Sequence, residues 1–263
     1  NCNVGEDITF DAIRGQHDAV LIATGVYKAR DIEAPGVGAK GIVKALDYLT
    51  VANRQGFGDE VPEYESGELN ASGKRVVVIG GGDTAMDCVR TAVRQGAQSV
   101  KCLYRRDRAN MPGSQRETQN AEEEGVEFVW LTAPKGFAGG TTVEGVMVQR
   151  MRLGAPDATG RQVPEVIDGA DYVEPADLVI MALGFEPEDL PKQWGQPALR
   201  TTRWGTVRAE FGSHATNLAG VYAVGDIVRG ASLVVWAIRD GREAAESILT
   251  YLAQGAAGAV AAE

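Results

Sequence analysis

An α/β fold is what this sequence predicts, on three observations that follow one another along the chain. Lys74-Arg75-Val76-Val77-Val78-Ile79 is a short apolar run rich in β-branched side chains, which reads as a buried parallel strand. Gly80-Gly81-Gly82-Asp83-Thr84-Ala85 is a G-x-G-x-x-A turn directly behind it. Met86, Val89 and Val93 then fall at helical spacing, and after Gly96 a second apolar run, Val100 to Tyr104, ends in Arg105 and Arg106.

Each part has a physical reason. Gly80 permits the tight turn, Gly82 lets backbone amides approach a pyrophosphate, and the small Ala85 lets the helix pack close to the strand. Gly81, Asp83 and Thr84 complete a candidate cofactor-binding turn in which the helix start holds phosphate with little side-chain help. Gly96 is placed to end the helix in a left-handed cap. At the tip of the second strand an acidic residue would accept hydrogen bonds from a free ribose 2'-hydroxyl, whereas the guanidinium groups of Arg105 and Arg106 match an additional 2'-phosphate. NADPH is therefore the expected ligand. Three adjacent glycines alone also read as a plain loop; the flanking strand, helix and arginine pair are what select the nucleotide site.

Composition bounds the rest. The 263 residues carry 33 glycines, 44% hydrophobic residues and a formal net charge of -10, enough chain for two modest cores. The negative balance disfavours a nucleic-acid surface, and no apolar run approaches a membrane span. Cys2, Cys88 and Cys102 are too few and too scattered for a disulfide framework or an iron-sulfur cluster, so Cys88 and Cys102 read as small core residues in a reducing, cytoplasmic compartment. His17 and His214 form no metal-site pattern, and His214 reads as a loop residue.

Along the chain, Asn1 to Ile8 reads as the interior of a larger polypeptide. His17 to Gly25 reads as a strand leaving through Ala23-Thr24-Gly25, and Ile42 to Ala52 as helical. Asn53 to Gly73, with its glycines, Pro62 and acids, reads as a linker or surface excursion. Ser114 is placed to cap a helix through Glu124 in a capping box with Glu117, Gly125 to end it, and Val126 to Leu131 to return as strand. Val143–Leu153 and Val163–Val173 read as antiparallel strands joined by Gly154–Gly160. Ala176–Leu183 reads as another buried strand ending at Gly184, with Phe185 and Pro187 marking a return between domains. Val221 to Val224 is a short strand, Gly225-Asp226 follows, and Leu233 onward is helical. An Asp between strand and helix can bind flavin ribitol hydroxyls or simply cap a turn. Trp236 packs near a cofactor or fills an interface.

Ala23-Thr24-Gly25, the Gly80 to Ala85 turn, Tyr104-Arg105-Arg106-Asp107, Asn110-Met111-Pro112-Gly113-Ser114, Ala223-Val224-Gly225-Asp226 and Arg229 to Trp236 together resemble the small, or beta, subunit of bacterial NADPH-dependent glutamate synthase. The resemblance covers the chain to about Leu252. It implies a glutathione-reductase-like pair of dinucleotide domains: a Rossmann-like NADPH-binding domain, 73–190, inserted into a partial FAD-binding domain, 1–43 and 191–252. A helix and interdomain linker, 44–72, and a flexible tail, 253–263, complete this expectation. It also implies that Ala23, Thr24, Gly25, Gly225, Asp226, Ser232 and Leu233 contribute to FAD binding. Hydride would pass from NADPH to FAD, and electrons through [4Fe-4S] clusters to an FMN-containing large (alpha) subunit. There they would reduce the imine formed from 2-oxoglutarate and glutamine-derived ammonia, giving glutamate in ammonia assimilation.

The chain departs from that pattern before Asn1, where the cysteine-rich region and the first FAD-binding G-x-G-x-x-G segment are expected. Weak FAD binding, and little activity in isolation, are the consequences expected of such a fragment. Hydride transfer rests on stacking nicotinamide against flavin, so no side chain is expected to be an obligatory acid or base. Two other readings stay open at this point: a related NADPH-dependent flavin and iron-sulfur electron-transfer subunit with another acceptor, and a non-catalytic nucleotide-binding module.

Overall fold

The computed structural model describes residues 2–157 and 162–260. Its elements run α1 (Phe10–Gln16), β1 (Val20–Ile22), β2 (Lys28–Ala29), β3 (Ile42–Lys44), α2 (Ala45–Gly56), α3 (Pro62–Glu65), β4 (Arg75–Ile79), α4 (Asp83–Arg94) and β5 (Ser99–Tyr104). They continue with α5 (Gln115–Glu123), β6 (Glu127–Trp130), β7 (Thr132–Gly139), β8 (Val143–Pro156), β9 (Gln162–Val166), β10 (Tyr172–Pro175) and β11 (Leu178–Met181). Last come β12 (Phe185–Glu186), α6 (Leu190–Gln193), β13 (Val221–Ala223), α7 (Asp226–Arg229) and α8 (Val234–Val260). The chain divides into two compact units, one of residues 1–28 and 185–263 and one of residues 29–184.

The 29–184 unit is built on a five-stranded parallel sheet in the order β3-β11-β4-β5-β6. Its centre explains the unbroken apolar run at β4. Val76 and Val78 join a core with α2, α4 and α5 residues such as Tyr48, Met86, Val89 and Ala121. Val77 and Ile79 point the other way, into a core with Phe137, Val146 and Val148 of β7 and β8. Both faces of the strand are covered, so alternation disappears. The second face is closed by an antiparallel sheet, β10-β8-β7, with β9 paired to the outer half of β8.

Several expectations change here. The run from Ile42 is strand first and helix second, because Ile42 and Val43 pair with Val179 and Ile180 before α2 begins. Residues 44–72 are not a linker between units. Ala71 is wholly buried, and its amide and the Tyr48 hydroxyl both donate to Oε1 of Gln95, at 2.9 and 2.8 Å. The chain crosses between units at 28/29 and 184/185 rather than at 43 and 190, so 29–43 belongs with the parallel sheet. Val163–Val173 is two strands, β9 and β10, parted by a turn that holds Gly169 at φ 73°. Strand β7 was not expected. Of the 154–160 connection, residues 158–160 lie outside the described residues. Helix α8 runs through Val260 and so includes residues 253–260 of the expected tail, while 261–263 lie outside the described residues.

In the other unit β1 and β13 pair in parallel, Val20 with Val221 and Ile22 with Ala223. Phe10, Ile22, Leu190, Leu199, Val207, Val221 and Ile227 form its core, and Phe10 stacks on Trp194 with ring centroids 4.9 Å apart. Among the described residues, no helix is long and apolar enough to cross a membrane.

Candidate coenzyme-binding site

The glycine turn sits at the end of β4 where the sheet opens. Gly80 has φ 149°, its amide donates to the Leu103 carbonyl at 3.1 Å, and any Cβ there would collide with the carbonyl of Ala182. Only glycine meets both demands. A Cβ on Gly81 would strike the ring of Tyr104. Gly82, by contrast, faces open space: nothing lies within 4 Å of a Cβ built on it. It is the N-cap of α4 and provides no side chain to cap the helix, leaving the first amides available to an anion.

The remaining residues of the turn divide by role. Thr84 lines the cleft with the three glycines. Ala85 is fully buried and lets α4 lie close against the sheet. Asp83 does not line the cleft; its Oδ1 accepts the Ser114 amide at 2.9 Å. That bond displaces the expected capping box. Ser114 is the N-cap of α5 without a side-chain hydrogen bond to the helix, and Glu117 pairs with Arg90 instead. Arg90 also reaches Glu124 at 2.8 Å, tying α4 to α5.

The cleft has a volume of about 640 Å³ and is lined by the turn, by Tyr104, Arg105 and Arg106, by Asn110 and Pro112, and by three segments far off in sequence, Arg30–Ile32, Thr132–Pro134 and Ala182–Gly184. Sequence reasoning missed all three as parts of the site; no local signal marks them, since tertiary pairing and packing bring them here. Arg105 is exposed and Arg106 half-buried, and neither guanidinium has an ion-pair partner among the described residues. Nε of Arg106 is buried with no hydrogen-bond acceptor. A buried, unpartnered guanidinium nitrogen is costly, and an anionic ligand would relieve it. The neighbouring carboxylate, Asp107, is occupied: its Oδ1 accepts the Asn110 amide at 3.0 Å and the Asn110 side chain at 2.7 Å.

Below the turn, Cys102 donates its thiol to the Gly80 carbonyl at 3.3 Å. Burial pushes the Cys102 thiol up to about 12 and the Cys88 thiol higher still, so both stay protonated and inert.

A second set of expected site residues converges in the other unit. The parallel pairing of β1 and β13 puts Ala23-Thr24-Gly25 and Gly225-Asp226 at the same end of adjacent strands. Gly25 and Gly225 both turn there with positive φ, 72° and 71°. Asp226 Oδ1 accepts the Ser232 hydroxyl at 2.7 Å, and Leu233 is exposed beside it, as is Trp236. An Asp and a hydroxyl at a glycine turn are a donor and acceptor set that fits the polyhydroxyl chain of a flavin nucleotide.

Behind that turn lies a network the sequence did not announce. Arg229 forms a bidentate pair with the buried Asp240, both bonds 2.5 Å, which holds the Asp240 carboxyl below its ordinary range. His214, buried and at φ 59°, has Nε2 3.2 Å from Glu243, which Arg239 also holds at 2.6 Å. His214, Asp240 and Glu243 offer ligand atoms within 4.8 Å of one another, but both carboxylates are already committed to arginines. The grouping reads as an ion-pair cluster.

Known proteins bear on the family and the fold. The chain is 78% identical over its whole length to a Cereibacter sphaeroides protein provisionally named as a glutamate synthase [NADPH] small chain, and spans 62% of that protein. It is 64% identical over 251 residues to the glutamate synthase [NADPH] small chain of Azospirillum brasilense, covering 95% of this chain and 52% of that one. The chain thus spans little more than half the length of these relatives. Among solved structures, Mycobacterium tuberculosis FprA in complex with NADPH superposes with a TM-score of 0.77 at 20% identity, covering 98% of this chain and 69% of that one, a likeness of fold. Residues 5–241, most of the chain, match the pyridine nucleotide-disulphide oxidoreductase family, and the chain belongs to that family.

Proposed function

We propose that this chain is the coenzyme-binding part of the small subunit of an NADPH-dependent glutamate synthase, taking NADPH in the 29–184 unit and FAD in the other. One observation carries the NADPH assignment: an uncapped glycine turn shares a single cleft with two guanidinium groups that have no ion-pair partner among the described residues, one with a buried, unsatisfied nitrogen. The turn supplies amides for the pyrophosphate, and Arg106, with Arg105 outside it, supplies charge for the 2'-phosphate. The identity to glutamate synthase small chains supports the acceptor, a large subunit that forms glutamate from glutamine and 2-oxoglutarate in the cytoplasm.

FAD fits the second site. Gly25 and Gly225, both at positive φ, would make the turns over which the nucleotide lies, and Asp226 with Ser232 would orient its ribitol hydroxyls. When bound, the flavin supplies the hydride acceptor that links a two-electron donor to one-electron carriers. This chain's residues bind and orient; none is assigned a proton. Iron-sulfur clusters do not fit the residues present: of three cysteines, two are buried thiols in separate elements of one core, short of the four thiolates a cluster takes.

The test is coenzyme titration of the intact protein, followed by glutamate formation with the large subunit added. Tighter binding of NADPH than NADH, with turnover that needs both subunits, is expected. NADH binding as tight as NADPH would refute the arginine assignment, and turnover with no large subunit would refute the acceptor.

A further inference from the structure

The loop from Arg105 to Ser114 carries the groups assigned to the 2'-phosphate, and among the residues that set its path is Asp107, which does not line the cleft. Asp107 is the N-cap of a 3₁₀ turn, Arg108–Asn110, and accepts both the backbone amide and the side-chain amide of Asn110. Asn110 in turn accepts the Tyr104 hydroxyl on its carbonyl at 3.0 Å, and the Tyr104 ring lies against Gly81. On the other flank the Arg106 carbonyl accepts the Leu131 amide at 3.0 Å. Leu131 is held at φ 54°, a left-handed conformation that costs a branched residue energy, and its own carbonyl is pinned by the Met151 amide at 2.8 Å. The far end of the loop returns to the turn through Gly113, whose amide donates to Gly81 at 2.9 Å, and through Ser114 to Asp83.

Two consequences meet at Asp107. Its carboxylate is the acidic group adjoining the arginine pair, and left free it would repel a phosphate or accept a ribose 2'-hydroxyl, favouring the coenzyme without the phosphate. Capping consumes its Oδ1 and simultaneously fixes the chain just after Arg106. We infer that Asp107 is a positioning residue for coenzyme discrimination: it touches no coenzyme, and by capping the 3₁₀ turn it turns its Oδ1 to Asn110 and holds Arg106 where the 2'-phosphate binds. The inference rests on the NADPH reading above.

The experiment is a titration of the intact protein with NADPH and with NADH, comparing wild type with three variants. D107A removes the cap and should weaken NADPH by about fivefold, the usual scale of a lost N-cap, with NADH changed less than twofold. D107N keeps an oxygen that accepts both Asn110 donors, so it should retain the wild-type preference. D107E keeps the charge and loses the short capping geometry; it should resemble D107A, and it replaces D107A if that variant does not fold. Equal losses for both coenzymes in D107A, or a D107N that behaves like D107A, would overturn the role of Asp107. A wild-type protein with no preference for NADPH would refute the arginine assignment instead, whereas a wild-type preference that survives D107A and D107E would refute only Asp107.

Discussion

Gly82 and Arg106 show how differently two residues of one cleft respond to change. Gly82 has φ -92° and open space where a Cβ would stand, so alanine is tolerated by the fold. Gly82→Ala should change stability by less than about 1 kcal/mol, because the restriction of the unfolded chain is offset by alanine's poorer standing at an N-cap, yet its methyl group would occupy the pyrophosphate approach. Affinity for NADPH and NADH should fall together, with thermal melting little changed; a selective loss of NADPH would contradict this placement. Arg106 should behave in the opposite sense. As a half-buried guanidinium with an unsatisfied nitrogen, its replacement by Gln should weaken NADPH by about tenfold or more, the scale of one hydrogen bond to a charged group. Arg105 is exposed, and Arg105→Gln should cost only about two- to fivefold, as screened surface charges do. Direct titration of each variant checks the ranking. These residues were legible in the sequence because a turn that needs glycine, followed by a strand tipped with arginine, is a short-range pattern. Asp83 was legible only as part of the turn; that it serves the Ser114 amide depends on a loop 31 residues away.

At the scale of elements, the parallel sheet is pinned at its N-terminal edge by one ion pair. Asp177, just before β11, accepts Arg75 Nε at 2.9 Å, Nη2 at 2.6 Å and the Arg75 amide at 2.9 Å, joining the starts of two neighbouring strands. These hydrogen bonds from Arg75, chiefly from its side chain and against the opposing effect of burial, hold the Asp177 carboxyl at about 2 instead of its ordinary 3.8. A carboxyl depressed in the folded state stabilises the protein above its unfolded value, and that stability is lost as pH falls through the folded value. Asp177→Asn should therefore lower stability at pH 7, and the deficit should shrink as pH falls from about 4 to about 2. Urea unfolding across that range measures it; a deficit independent of pH would assign the effect to packing. The pair is part-exposed, so a modest deficit is expected. Helix and strand identity around β4, α4 and β5 follows from apolar period and glycine stops, whereas β3 escaped because its strand character comes from β11, distant in sequence, and β7 because its pairing with the next strand, β8, is broken by register shifts that erase a clean alternation.

For the whole molecule, the two units make separable claims about where ligands act. Hydrogen exchange of the intact protein should show NADPH protecting amides within 29–184, above all Gly80–Ala85 and the Arg105–Ser114 loop, while FAD protects residues near Gly25 and Gly225. Protection by NADPH confined to the 1–28 and 185–263 unit would reverse the assignment. What the sequence by itself determined is the βαβ core, the glycine turn, the charge at the second strand's tip and the order in which the chain leaves and re-enters its first unit, because propensity, apolar period and turn chemistry act over a few residues. Tertiary structure alone decided that 29–72 belongs to the unit built on the parallel sheet, that Arg30–Ile32 and Thr132–Pro134 line the cleft, and that His214, Asp240 and Glu243 share one charged cluster. Those outcomes depend on strand pairing and burial between segments far apart along the chain, where no local pattern carries the register.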